Sequence, residues 1–161
     1  MNWKANNLFT IPKYENSWEV ISDKNSKIYD LKTKKTYPYL FWEDYMKYKI
    51  PEKWFIVKKE NLENFFDEKL SYINLNKKEI SDFKNYWIPK MQDYSYYFVT
   101  FLQTRELNKI VPIEIYPKPD NIWRIFMDFK WLDRFRKVQE LKLERFKRKW
   151  FFVVEWWWNK K

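Results

Sequence analysis

The sequence predicts an α+β fold: a mainly antiparallel β-sheet with one central helical pair, in a single domain over residues 1–161. Three observations carry this. Short aromatic and β-branched runs, separated by turn residues, fill residues 1–58 and the stretch after 95. Two apolar stripes at helical spacing lie between Glu60 and Met91. The chain has 161 residues, 45% hydrophobic and 34% charged, a globular composition long enough to bury a core.

The elements follow in order. Leu8–Ile11 reads as a strand, and Trp18–Ile21 alternates apolar and polar as a half-buried strand does. Asp23–Ser26 is a turn by composition, Lys27–Leu31 a strand, Lys32–Lys35 a polar turn. Tyr37–Trp42 is a third aromatic strand, with Pro38 marking an edge or a strand start. Strands so close together predict an antiparallel meander. Residues 53–58 form a short extended segment. Leu62, Phe65, Phe66, Leu70 and Ile73 then make one helical stripe. Asn76 opens a capping box with Glu79, and Ile80, Phe83, Trp87 and Met91 make a second stripe that Pro89 ends near Ile88. Phe65, Leu70, Ile80, Phe83 and Trp87 are the expected core of the pair. Ser95–Leu102 is a central strand by β-propensity. Thr104 caps a single turn through Ile110, Pro112–Tyr116 is a strand, and Pro117–Asp120 a rigid turn. Ile122–Lys130, Val138–Leu143 and Phe151–Trp156 are the last three expected strands.

Gly is 0 and Trp is 11. Ordinary usage of about 7% Gly predicts roughly 11 glycines in a chain this long. One explanation covers both counts. An AT-rich bacterial gene in which UGA encodes glycine loses Gly and gains Trp when translated with a code that reads UGA as tryptophan. Cys and His are also 0. That excludes disulfides, thiolate nucleophiles, Cys/His zinc sites and imidazole-based triads. No cofactor or metal site is expected, and no Trp read as Gly restores the spacing of a phosphate-binding loop.

The net charge of +10 raises a polyanionic partner, a nucleic acid or an envelope surface, against the plainer reading of lysines spread over a solvated surface. All six arginines lie at or after Arg105; Arg134, Arg136, Arg145 and Arg148 interleave with Phe135 and Phe146. Charge for phosphates mixed with rings for stacking suits a nucleic-acid surface, but the solvated face of strands is the favoured reading. Glu43/Asp44 and Asp128/Asp133 are the carboxylate pairs, whose chemistry depends on a separation set by folding. Glu155 interrupts an apolar strand. The plain expectation points it to solvent; the sharp one makes it a buried, partnered acid. No apolar run approaches a membrane span, and no signal peptide is recognised.

Several stretches carry a likeness. Lys13–Val20 and Tyr37–Glu43 are similar to "KYxNGWxV" and "Y.YLFWE", Leu75–Met91 to "LGLNxKExxDFxxYWxPKM". Pro117–Met127 is similar to the start of "PKPDxxIRVFMxxKPLD", and Trp150–Trp158 to "GFxVVEWGG". In this order they resemble an uncharacterised bacterial protein family. The resemblance implies no established activity. It implies an additional N-terminal strand like "KPVIYLYP" that this chain lacks, and exported relatives that point to the cell envelope. It places Gly at Trp150, Trp157 and Trp158, and Trp at Trp18, Trp42, Trp87 and Trp156.

The expected function is a non-catalytic binding or structural module, envelope-associated by that resemblance. A basic, non-specific nucleic-acid binder and a carboxylate-dependent hydrolase are the alternatives. The recoding reading divides the tryptophans. Trp18, Trp42, Trp87 and Trp156 are expected to pack. Trp54, Trp131, Trp150, Trp157 and Trp158 are expected to be exposed or in backbone conformations suited to Gly, while Trp3 and Trp123 stay unassigned. The rival is an interfacial membrane anchor in which the rings of Trp156–Trp158 project together beside Lys160 and Lys161. Peptide masses from the native host check the recoding: Gly is expected at 150, 157 and 158, and Trp there ends the idea.

Overall fold

Both helices form where the apolar spacing predicts them. In the computed structural model, which describes residues 9–23, 27–43, 48–49 and 51–158, α1 spans Leu62–Tyr72 and α2 spans Lys77–Trp87. Asn76 and Glu79 close the expected capping box: the Asn76 side chain accepts from the Glu79 amide at 2.9 Å, and Glu79 accepts from the Asn76 amide at 2.7 Å. Pro89 lacks the amide a helix interior needs, and α2 gives way to a 3-10 turn over Ile88–Lys90. Between the helices Asn74 takes the left-handed position, φ 72°, that closes α1. The Leu75 amide reaches the Leu70 carbonyl at 3.0 Å and the Asn74 amide that of Ser71 at 2.9 Å, satisfying carbonyls the helix end leaves open.

The helices belong to the larger of two compact units, Lys47–Trp158. Its sheet is four-stranded, in the order β6 (Phe55–Lys58), β7 (Tyr96–Gln103), β8 (Asn121–Leu132), β9 (Phe152–Trp158). The β6–β7 and β7–β8 pairs are antiparallel and β8–β9 is parallel, so the class is α+β with a mostly antiparallel sheet. Side chains alternate across the sheet. Trp123, Ile125 and Met127 join the helices in one core with Phe66, Leu70, Ile80, Phe83 and Trp87, all buried; Phe65 is half-buried against it. The second face carries Arg124, Phe126 and Asp128, also buried.

Three expected elements in this unit differ. Pro112–Tyr116 is not a strand; the flanking prolines at 112 and 117 remove ladder donors. Val138–Leu143 makes no ladder either. Leu141 and Leu143 pack against the core, and just beyond them the Gln103 side chain donates to the Glu144 carbonyl and accepts from its amide, at 3.1 and 2.9 Å. Helix α3 covers Thr104–Ile110, but Gln103 holds the capping position. The Thr104 hydroxyl instead accepts from the Arg124 amide of β8 at 2.9 Å.

The smaller unit, Met1–Met46 with the last three residues, holds β1 (Phe9–Ile11) paired with β5 (Phe41–Glu43), and the meander β2 (Val20–Ser22), β3 (Ile28–Asp30), β4 (Lys35–Tyr37). A meander forms, but over β2–β4 only: β1 pairs with β5 rather than β2, and β4 begins at Lys35 of the expected turn. Strand β2 is exposed rather than half-buried, and Tyr37–Trp42 is broken after Tyr37 by a bend at Pro38 and Tyr39. Leu8 and the turn residues 24–26 lie outside the described residues.

The tryptophans do not divide as the recoding reading expects. Trp87 is buried, and Trp18, Trp42 and Trp156 are half-buried, all packed as expected; Trp131 and Trp150 are 54% and 96% exposed. Trp54 and Trp157, however, are only 8% and 4% exposed. Trp54 donates its indole N–H to the Pro51 carbonyl at 2.7 Å and lies 5.8 Å from the Phe98 ring; Trp157 meets Phe126 edge-on at 5.5 Å. A position at an element start or chain end does not decide burial when the second face of a sheet is itself covered. Among the described residues only Lys34 and Asn74 have positive φ, so no described Trp occupies a glycine-type conformation. The buried indole N–H groups of Trp123 and Trp157 find no acceptor among the described residues, a cost of about 1–3 kcal/mol each. The clustered-anchor alternative also fails for the pair the structure describes: Trp156 and Trp157 alternate across the sheet and Trp157 is buried. Trp3, Lys160, Lys161 and the Trp158 side chain lie outside the described residues. Among the described residues no helix is long and apolar enough to cross a membrane.

Candidate functional site

Glu155 is the buried, partnered acid, not the solvent-facing one. It stands opposite Arg124 in the parallel β8–β9 register, and both side chains project from the sheet face away from α1 and α2. Arg124 is 1% exposed and Glu155 5%. The guanidinium donates through Nε and Nη2 to the two carboxylate oxygens, the latter at 3.3 Å, and through Nη1 to Asn108 Oδ1 at 3.1 Å and to the Val111 carbonyl. Burial pushes the Glu155 carboxyl above its usual range, and the two Arg124 bonds oppose that without cancelling it. Every carboxylate oxygen is thus committed to one cation in a site closed to solvent. That is the geometry of a structural pair, not of an acid available to a substrate.

Asp128 lies on the same face and accepts from the Tyr48 hydroxyl at 2.5 Å. Its sequence partner Asp133 is exposed beyond the end of β8. The two acids therefore lie in different surroundings, Asp128 buried within β8 and Asp133 in solvent past its end, and nothing among the described residues sets them side by side as paired acids must be. The Glu43 side chain and Asp44 lie outside the described residues.

The basic and aromatic stretch after Arg134 is split by the fold. Phe146 is buried and stacks on Trp123 at 5.1 Å. Arg148 is half-buried; it donates to the Asn74 carbonyl at 3.2 and 3.1 Å, pairs with Glu79, and lies 4.6 Å from the Phe152 ring. These two residues dock the chain onto the turn between α1 and α2. Arg134, Arg136, Arg145 and Phe135 stay exposed.

The open site lies on the other edge of the sheet. The chain matches no family model, no curated protein and no solved structure. Its geometry therefore has to speak for itself. Among the described residues β6 is an edge strand, laddered on one side only, to β7. The Lys59 amide donates to the Ser95 carbonyl at 3.0 Å, which fixes the phase: odd residues of β6 bond toward β7 and even ones point outward. Trp54, an even residue, does so, donating to the Gln139 carbonyl at 3.0 Å. That is the one backbone bond between segment 135–140 and the edge among the described residues. Beyond it, Ile56 and Lys58 turn their amides outward with no partner among the described residues.

These groups line a groove of about 760 Å³ between β6, α1 and residues 135–140. Its apolar walls include Phe55, Phe65, Tyr96 and the exposed Phe135. Lys58, Lys69, Arg136 and Lys137 set four cations there against Glu68 and Glu140. Lys69 takes up both acids, at 2.9 and 4.0 Å, and sits over the Phe55 ring at 5.0 Å. Among the described residues Lys58, Arg136 and Lys137 have no acid partner. Sequence reasoning singled out Arg136 and Phe135 but missed the groove. Its signal was faint: a short apolar run closed by Lys58, whose edge position depends on a partner strand that begins only at Tyr96.

Proposed function

We propose that this chain is a non-catalytic binding module whose binding surface is the groove along the outer edge of β6. The observation that carries this is the pair of outward residues, Ile56 and Lys58, beside an aromatic-walled groove with three cations unmatched by acids. An unprotected strand edge pairs readily with another extended chain, and recognition modules use such edges for peptides. The alternatives have less support. A hydrolase needs two acids at a working separation, whereas Glu155 is tied to Arg124, and Asp128 is buried within β8 while Asp133 is exposed past its end. A nucleic-acid face on the Arg134–Lys149 stretch loses Phe146 to the core and the half-buried Arg148 to Glu79 and the Asn74 carbonyl.

Selecting from a phage-displayed library of random octapeptides tests the reading. Lys58 has φ −70°, already suited to proline. Lys58→Pro therefore removes one outward amide and one charge while keeping the ladder to β7. Enrichment on the intact chain that disappears on Lys58→Pro, with the melting temperature unchanged, is the expected outcome. No enrichment, or enrichment that Lys58→Pro leaves intact, overturns the proposal.

A further inference from the structure

We infer that the β6 groove selects an acidic peptide segment, bound extended as an added strand, an inference that rests on the binding-module reading. The edge and the walls specify different parts of such a ligand. Ile56 and Lys58 turn outward a backbone edge that carries both amides and carbonyls. A peptide backbone offers the matching alternation of acceptors and donors. A nucleic-acid backbone has no such alternation, since its phosphates only accept and RNA adds only a 2′-hydroxyl, so the edge favours polypeptide over polynucleotide although the charge suits both.

The walls then choose the side chains. An added strand turns alternate residues to opposite sides. One set would meet the rings of Phe55 and Phe65, which favours apolar residues. The other would meet Lys58, Arg136 and Lys137, whose charges have no acid partner among the described residues. Glu and Asp at alternate positions supply those partners. Glu68 and Glu140 do not compete for them, because Lys69 stands between these acids and pairs with both. The one bond from the Trp54 amide to the Gln139 carbonyl closes the far end of the edge, so an added strand begins its ladder at Ile56.

Fluorescence anisotropy of the full chain tests this with labelled (Val-Glu)4 and its isosteric (Val-Gln)4 and basic (Val-Lys)4 versions, and a thymidine octanucleotide. The Glu peptide is expected to bind, the Gln peptide about tenfold more weakly, through loss of a few partly exposed ion pairs, and the Lys peptide not at all. Hydrogen exchange at the Ile56 and Lys58 amides is expected to slow on binding. Equal binding of the Glu and Gln peptides overturns the acidic selection while the edge reading stands. Amides that stay unprotected while a peptide binds overturn the added strand, and binding of none of the peptides overturns both. An oligonucleotide binding more tightly than the Glu peptide overturns the choice of polypeptide. The exposed double variant Arg136→Glu/Lys137→Glu supplies a gain rather than a loss: its preference is expected to turn to the Lys peptide. A folded variant that still prefers the Glu peptide overturns the role of these two cations.

Discussion

Replacing Glu155 with alanine is expected to destabilise the chain by about 3–5 kcal/mol, as is replacing Arg124. Each change leaves the opposite charge buried and deprived of its main partner. Arg124 would keep only Asn108 and the Val111 carbonyl. Glu155 without Arg124 would lose the cation to which both its oxygens are bonded. The pair itself is not a strong net contributor, because taking both charges out of water costs about as much as their attraction returns. The double variant Arg124→Met/Glu155→Leu removes both desolvation costs and keeps the volume. Its stability is expected within about 1 kcal/mol of the parent chain or above it. Urea unfolding of the two single variants and the double variant gives the test. Single variants that lose less than about 1 kcal/mol would show that water reaches the site. A double variant as unstable as either single one would show that the pair is needed for its own sake.

Phe83→Ala is the other large effect, an expected loss of about 3–5 kcal/mol. Phe83 is fully buried, and its ring lies 5.4 Å from Phe66, 5.5 Å from Trp156 and 6.2 Å from Trp87. It therefore joins α1, α2 and β9 at one point, and removing it leaves a cavity that rigid strands and helices close only in part. Phe65→Ala, on the same helical pair but half-buried, is expected to cost about half as much, since less apolar area returns to solvent. Chemical denaturation of the two variants measures the contrast. Equal losses would mean that the two rings contribute alike and that depth in this core is not what matters.

Local signals and distant ones separate cleanly along this chain. The helices were legible because spacing of 3 and 4 residues and the Asn76/Glu79 cap are properties of a few consecutive residues. The meander was legible for the same reason, as each strand pairs with its sequence neighbour. Pro112–Tyr116 and Val138–Leu143 have the composition of strands yet are none. A strand exists only when a partner presents its hydrogen bonds, and composition does not name the partner. Glu155 shows the same limit at one residue. Its place in an apolar run showed that it was unusual, but its burial follows from Arg124, thirty-one positions earlier, falling opposite it in a parallel pair.

The sequence by itself determined the α+β class, the helical pair with its core, and the absence of thiol and imidazole chemistry, since these depend on residue identity and near-neighbour spacing. Only the tertiary structure decided which face of the sheet Glu155 occupies, that Arg148 and Phe146 turn inward, that Trp54 and Trp157 are buried, and that β6 is an open edge. Each of those depends on which strand lies beside which. That order comes from packing between segments far apart in the chain, where no local pattern records it.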